Sequence, residues 1–142
     1  MIPITAVFDA SALVRAVGEE RDYAARSWLR AAGDGRVRAH VPDLAYVEAA
    51  SAFRTYVRGG TITDEEADER LTQIVAAPLE AIPLRLLCRQ ALAFARLRGL
   101  SAYDACYLAL AIGLDATLVT ADRRLAAEAE KVAFLPTDHP PT

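Results

Sequence analysis

The sequence predicts an α/β fold: one domain built on a five-stranded, mainly parallel sheet with helices on both faces. Three observations predict it. Five short β-like runs are separated by long alanine-rich stretches of helical period, and alternation of that kind makes successive strands parallel. Right-handed crossovers then place helices on both sides of the sheet. The 142 residues, 54% hydrophobic and 25% charged, suffice for one core and leave little room for a second. The doubly wound strand order 3-2-1-4-5 is the expected arrangement. Residues 1–135 form the domain and 136–142, with three prolines and two threonines, a short tail.

Each element has a local reason. Residues 4–9 are an apolar run ending in a polar residue, the clearest strand. Two helical pieces follow, 11–17 and 21–32. Residues 36–41 read as the second strand. Pro42-Asp43 opens a helix with proline near its first turn, and Gly59-Gly60 closes it. Thr63-Asp64-Glu65-Glu66 has capping-box spacing and starts the next helix. Residues 79–84 are the third strand, followed by a helix from about Leu84 to Gly99. Ser101-Ala102-Tyr103-Asp104 starts another, ending near Gly113, and Asp115 reads as a turn residue. Residues 117–120 form the fourth strand, a last helix begins around Ala121-Asp122, and 132–135 are the fifth strand. No repeat or low-complexity segment interrupts this order.

Composition excludes several classes. The apolar fraction is too high for a disordered chain, and no apolar run reaches the ~18 residues that span a bilayer. The start, Met-Ile-Pro-Ile-Thr, lacks the basic and apolar regions of a secretory signal, so a cytoplasmic location is expected. Cys88 and Cys106 sit in apolar helical patterns and read as small buried hydrophobes in a reducing compartment. A net charge of −3 argues against a passive nucleic-acid coat, but not against an enzyme that holds nucleic acid through a cation. All but one of the 16 basic residues are arginine, which favours planar phosphate contacts; Arg15, Arg123 and Arg124 follow the carboxyl edge of the sheet.

The acidic residues carry the chemistry. In an open parallel sheet, ligands bind beyond the carboxyl ends of the strands at the switch point, here between strands 1 and 4. Asp9 ends strand 1; Thr120 and Asp122 follow strand 4. Helices run back antiparallel to the strands, so Asp104, in a first turn, lies at the same edge. Glu48 lies about 7.5 Å below Asp43, at 1.5 Å per residue. Each acid has mostly apolar neighbours: Leu44, Ala45, Ser51 and Ala52 around Glu48, and Leu100, Ser101, Tyr107 and Leu108 around Asp104. Clustered buried anions need compensation. Oxygen donors without a well-placed His or Cys favour Mg²⁺ or Mn²⁺ over zinc. The chemistry expected of such a site is metal-assisted phosphodiester hydrolysis, with the acids holding metal and orienting water.

At these positions the sequence resembles the PIN-domain family, and within it the VapC-type toxins of prokaryotic toxin–antitoxin pairs. The matching pieces are Val7-Phe8-Asp9-Ala10-Ser11-Ala12-Leu13-Val14, Leu44-Ala45-Tyr46-Val47-Glu48-Ala49-Ala50-Ser51-Ala52, Leu100-Ser101-Ala102-Tyr103-Asp104-Ala105-Cys106-Tyr107-Leu108-Ala109-Leu110-Ala111 and Leu118-Val119-Thr120-Ala121-Asp122-Arg123-Arg124-Leu125. The resemblance implies a Mg²⁺- or Mn²⁺-dependent endoribonuclease with Asp9, Glu48, Asp104 and Asp122 at the acidic metal positions. Ser11 and Thr120 match polar positions that support them. It also implies an RNA substrate, a homodimer, and neutralisation by a small antitoxin that packs on the 21–32 helix with its Tyr23, Trp28 and Leu29. The alternative is a PIN-domain RNA-processing nuclease, or a non-catalytic RNA- or metal-binding module, outside such a pair.

Plain structural roles compete for each residue. Asp9 and Asp122 fit helix N-caps, and Ser101 with Asp104 fits a capping box. Glu48, in mid-helix, has no capping role; an ion pair with Arg54 or Arg15 is its structural alternative. Tyr103 and Tyr107 read as packing. A haloacid-dehalogenase-type phosphatase would place an aspartate where Ser11 stands. A receiver-like phosphoacceptor would place a lysine near the later strands, whereas the single lysine is Lys131 on the last helix.

Overall fold

A computed structural model of the chain describes residues 2–18 and 22–142. The elements run β1 (Ile4–Phe8), α1 (Ala10–Ala16), α2 (Tyr23–Gly33), β2 (Val37–Pro42), α3 (Leu44–Arg58), α4 (Asp64–Ala76), β3 (Leu79–Ile82), α5 (Cys88–Arg98), α6 (Ala102–Gly113), β4 (Thr117–Thr120), α7 (Arg123–Ala126) and β5 (Val132–Phe134). The five strands make one sheet in the order β3-β2-β1-β4-β5, parallel at every junction. This is the order expected from the sequence. The central strand β1 buries Ala6, Val7 and Phe8 in succession, because helices cover both faces of a parallel sheet and leave no solvent side. Among the described residues no helix is long and apolar enough to cross a membrane.

Local chemistry sets the element ends. Thr63 caps α4: its hydroxyl accepts from Glu66 N–H at 3.1 Å and the Glu66 carboxylate accepts from Thr63 N–H at 3.1 Å. Gly99 stops α5 in the left-handed conformation, with φ 66°, which costs glycine little. Asp115, with φ 51°, makes the expected turn before β4; aspartate is among the few side chains that tolerate this region.

Some boundaries differ from the sequence reading. The helix expected from Leu84 is split. Leu86 N–H and Leu87 N–H bond back to the carbonyls of Pro83 and Leu84 at 3.0 and 2.9 Å, making a 3-10 turn over Leu84–Leu86 before α5 begins. β3 stops at Ile82 because Pro83 has no N–H for the ladder. The helix expected from residue 21 begins at Tyr23; Arg21 lies outside the described residues. The last helix is a single turn, α7. Cys106 is buried but Cys88, in the first turn of α5, is exposed, so only one of the two is a core residue.

The core lies on both sides of β1. On one side the Trp28 indole meets Phe8 edge-on, with ring centroids 6.3 Å apart and planes at 90°, a favoured aromatic geometry. Its N–H donates to the Asp138 carbonyl at 2.8 Å, which lays the tail against α2. Tyr23, at the start of the same helix, is exposed. On the other side α6 buries its stretch from Ala105 to Ala111. This packing fixes the carboxyl edge of the sheet, where β1 and β4 end together.

Candidate active site

Asp9 follows β1 in an extended conformation and caps α1: its Oδ1 accepts from Ala12 N–H at 2.9 Å. Two hydroxyls also donate to this carboxylate, Ser11 to Oδ1 at 2.6 Å and Thr120 to Oδ2 at 2.5 Å. Both hydroxyls accept in turn, Ser11 Oγ from Ala121 N–H and Thr120 Oγ1 from Asp122 N–H, each at 2.9 Å. The network ties the end of β1 to the end of β4. Thr120 is fully buried and Asp9 is 5% exposed. Burial pushes the Asp9 carboxyl up to about 6 against the pull of its three donors, with a further rise from Asp122.

Asp122 caps α7: its Oδ1 accepts from Arg124 N–H at 2.9 Å and Leu125 N–H at 3.2 Å. Asp104 stands in the first turn of α6, whose N-cap Ser101 accepts from Asp104 N–H at 3.1 Å. Its carboxyl is raised above the ordinary range by burial and by the charge of Asp122, against the pull of Ser101 and of the nearby Arg124. Glu48, half-buried on α3, accepts from the Tyr107 hydroxyl at 2.5 Å. It too is raised, by burial first and by Asp104 after the opposing hydrogen bond. The capping roles and the clustering therefore coexist: Asp9 and Asp122 cap helices, while in α6 only the Ser101 half of the expected capping box forms, and each acid still feels a neighbour across the carboxyl edge.

The arrangement is a chain of neighbours, not a ready-made cage. Asp9 senses Asp122, Asp122 bears on Asp104, and Asp104 bears on Glu48. Among the described residues no three His, Cys, Asp or Glu side chains stand close enough to hold a metal ion between them. The donor set nevertheless fits a hard cation. It is all oxygen, three of its carboxyls resist ionisation in this crowd, and Mg²⁺ needs only one or two carboxylates beside waters and substrate oxygens. Ser11, Glu48 and Asp122 line one cleft of about 500 Å³ together with Arg15 and Tyr56.

Two site features escape a reading of the sequence. Glu48 makes no ion pair with Arg54 or Arg15; Arg15 pairs with Asp22 at 3.1 Å instead. The partner of Glu48 is Tyr107, a residue that reads as packing. Buried at 2% exposure, the phenol is held above its ordinary range by burial and by the Glu48 bond, so it remains a donor at any physiological pH. The available signal was spacing: Tyr107 lies three residues after Asp104, on the same helical face. Tyr103, by contrast, is exposed.

Comparisons with known proteins agree with this architecture. A family model described as PIN domain matches residues 6–131. Ribonuclease VapC3 of Pyrobaculum aerophilum is 32% identical over 123 residues, covering 84% of this chain and 91% of that protein. The crystal structure of PAE2754 from the same organism superposes with a TM-score of 0.74 at 25% identity, over 96% of this chain and 94% of the other. A chain from a toxin-antitoxin complex of Klebsiella pneumoniae shares the fold, with a TM-score of 0.66 at 17% identity over 94% of this chain and 98% of that one.

Proposed function

Because the chain belongs to the PIN-domain family, we propose that it is a Mg²⁺- or Mn²⁺-dependent endoribonuclease and the toxin of a VapBC-type toxin–antitoxin pair. The observation that carries the reading is the run of four carboxylates, Asp9, Asp122, Asp104 and Glu48, coupled pairwise along the carboxyl edge of the sheet. Among the described residues neither a helix cap nor an ion pair explains Glu48, half-buried with the Tyr107 phenol as its hydrogen-bond partner.

In this reading residues 1–135 are the nuclease domain and 136–142 its tail. One or two of the four acids, Asp9, Glu48, Asp104 and Asp122, would hold the cation directly and the others through its waters, with Ser11 and Thr120 as supports. A divalent cation supplies Lewis acidity toward phosphate oxygens and acidifies water at neutral pH. The protein's own residues do the rest. Ser11, Thr120 and Ala12 N–H fix both oxygens of Asp9, which lies behind the Ser11 and Asp122 lining of the cleft. Tyr107 fixes Glu48, whose second oxygen orients water. Asp104 lies outside that lining and acts on Glu48 by its charge. Arg124, whose guanidinium donates to the Gly99 carbonyl beside Asp104, stands where a phosphate oxygen would need a positive neighbour. The chain acts on RNA in the cytoplasm as a homodimer and is neutralised by a cognate antitoxin on the α2 side; the relatives that crystallised as toxin–antitoxin complexes support that partner.

The experiment is cleavage of structured RNAs by the purified protein with Mg²⁺, with Mn²⁺ and with chelator, beside Asp9→Asn and Asp104→Asn. Metal-dependent cleavage lost in both variants, with the circular-dichroism spectrum kept, is expected. Cleavage that survives chelation removes the mechanism. A small neighbouring gene for a DNA-binding protein that blocks cleavage when co-purified supports the toxin role; a nuclease with no such neighbour is the stand-alone alternative.

A further inference from the structure

Asp122 opens α7, a single turn of four residues, Arg123–Ala126. A helix that short holds no direction of its own, so its neighbours supply it. Its first end is fixed to β4: Asp122 N–H donates to the Thr120 hydroxyl, and Leu125 is buried. Its far end is fixed to the corner between α5 and α6. Arg98, the last residue of α5, donates from Nη1 to the Glu128 carbonyl at 2.9 Å and to the Glu128 carboxylate at 3.3 Å. In the opposite sense Arg124 donates to the Gly99 carbonyl. The Arg98 guanidinium is itself seated over the Phe94 ring, 5.6 Å from its centroid. Two arginines thus cross between the same two pieces of chain, one from each side. Among the described residues they make the only hydrogen bonds between 98–104 and 121–128.

Those two pieces carry two of the acids, Asp104 shortly after Gly99 and Asp122 just before Arg124. The buried stretch from Ala105 to Ala111 anchors α6, whereas α7 has Leu125 alone in the core. Burial first and then the charge of Asp122 raise the Asp104 carboxyl, so the two acids repel one another and drive α7 away from α6. The geometry points to the Arg98–Glu128 and Arg124–Gly99 ties as the positioning device that holds Asp122 towards Asp104 and so prepares the pair for a divalent cation. Arg98 touches neither cation nor substrate; it acts through α7. The inference rests on the cation-dependent reading above and adds to it a residue that sets cation affinity. Its sign is opposite to that of plain electrostatics. Removing a positive charge near two carboxylates tightens a cation by Coulomb attraction. Removing this one lets the pair relax apart, and binding must first draw α7 back.

The test is Mn²⁺ binding to the purified protein, followed by electron paramagnetic resonance, for wild type, Arg98→Met, Arg98→Lys and Arg96→Met, with circular dichroism to show that each folds. Methionine keeps the stem on Phe94 and loses the donors; lysine keeps a charged donor for Glu128. Arg96, exposed on the same helix, controls for charge alone. Arg98→Met is expected to raise the Mn²⁺ dissociation constant about fivefold, less than the roughly 10- to 100-fold lost with a group bonded directly to a metal ligand. Arg98→Lys should restore most of that affinity, and Arg96→Met should leave it unchanged or tighter. Half-maximal cleavage should need more Mg²⁺ by the same factor. Exchange of the Ala126 amide, which donates to the Asp122 carbonyl at 2.9 Å, should quicken in Arg98→Met in chelator and slow again in Mg²⁺. Equal or tighter Mn²⁺ binding by Arg98→Met overturns the proposal, and so does an unchanged Ala126 exchange. A wild type that binds no Mn²⁺ while Arg98→Met quickens that exchange refutes the cation reading and keeps Arg98 as the residue that places Asp122. Metal-dependent cleavage whose Mg²⁺ demand is the same in Arg98→Met does the reverse.

Discussion

Replacing Asp9 by asparagine removes a charge that the fold holds against its own interest. The carboxyl is almost completely buried and its pKa stands at about 6 against an ordinary 3.8, although Ser11, Thr120 and Ala12 all donate to it. At about 1.36 kcal/mol per unit, the ionised group opposes folding by about 3 kcal/mol at neutral pH. Asparagine keeps an acceptor for Ala12 N–H and Ser11 but presents an amide to the Thr120 hydroxyl, which must turn; that mismatch costs about 1 kcal/mol. Asp9→Asn should therefore be more stable than wild type by about 2 kcal/mol at pH 7.5 in chelator, and inactive. The sign reverses the usual carboxylate rule. With the folded pKa raised, the native state binds the proton more tightly than the unfolded chain. The Asp9 contribution to wild-type stability is then greatest below about pH 4 and falls as pH rises from 3.8 to 6. The variant lacks that slope, and its advantage vanishes by about pH 4. Urea unfolding at pH 4, 5, 6 and 7.5 measures this, with the difference between the proteins isolating Asp9 from Glu48 and Asp104. Added Mg²⁺ should stabilise wild type alone, by about 2.7 kcal/mol at a hundred times its dissociation constant. An asparagine variant less stable than wild type at pH 7.5, or an advantage unchanged at pH 4, refutes the reasoning.

Tyr107→Phe leaves the ring in its buried place but removes the 2.5 Å donor to Glu48. Cleavage should fall about 10- to 100-fold as Glu48 loses its fixed orientation, and unfolding should cost about 1–2 kcal/mol less, as for a lost hydrogen bond to a charged group. The same variant should move the acidic limb of the pH–rate profile upward, because the Tyr107 bond opposes the rise in the Glu48 pKa. In wild type the acidic limb should move to lower pH as Mg²⁺ is raised, because the cation competes with the proton for the buried Asp9 carboxyl; a limb indifferent to Mg²⁺ would exclude Asp9 as a cation ligand. Gly99→Ala should cost about 1 kcal/mol by thermal unfolding. Nothing lies within 4 Å of the added carbon, so the cost is that of the left-handed backbone alone. Thr63→Ala should cost a similar amount through the lost capping box.

Elements were legible in the sequence because their signals are local. The Thr63 box, the Gly99 stop, the Asp115 turn and the buried run of β1 depend on residues a few positions away, and the structure carries each. The parallel sheet follows from alternation of strand and helix, whereas its order was only the common doubly wound arrangement, which the structure bears out. The four acids stood out because each lies at an element start or on an apolar face where charge needs a reason. What lies between elements was not legible. Glu48 is partnered by Tyr107, 59 residues on, and Asp9 by Thr120, 111 residues on. No periodicity encodes which phenol or hydroxyl arrives across a packed interface. The sequence likewise suggested an arginine for Glu48, yet Arg15 turns to Asp22. Backbone hydrogen bonds and side-chain periodicity act over one or two turns, so they write elements into the chain. The direction of a side chain across a core is decided only when whole faces pack, which is where the partners of the acids were settled.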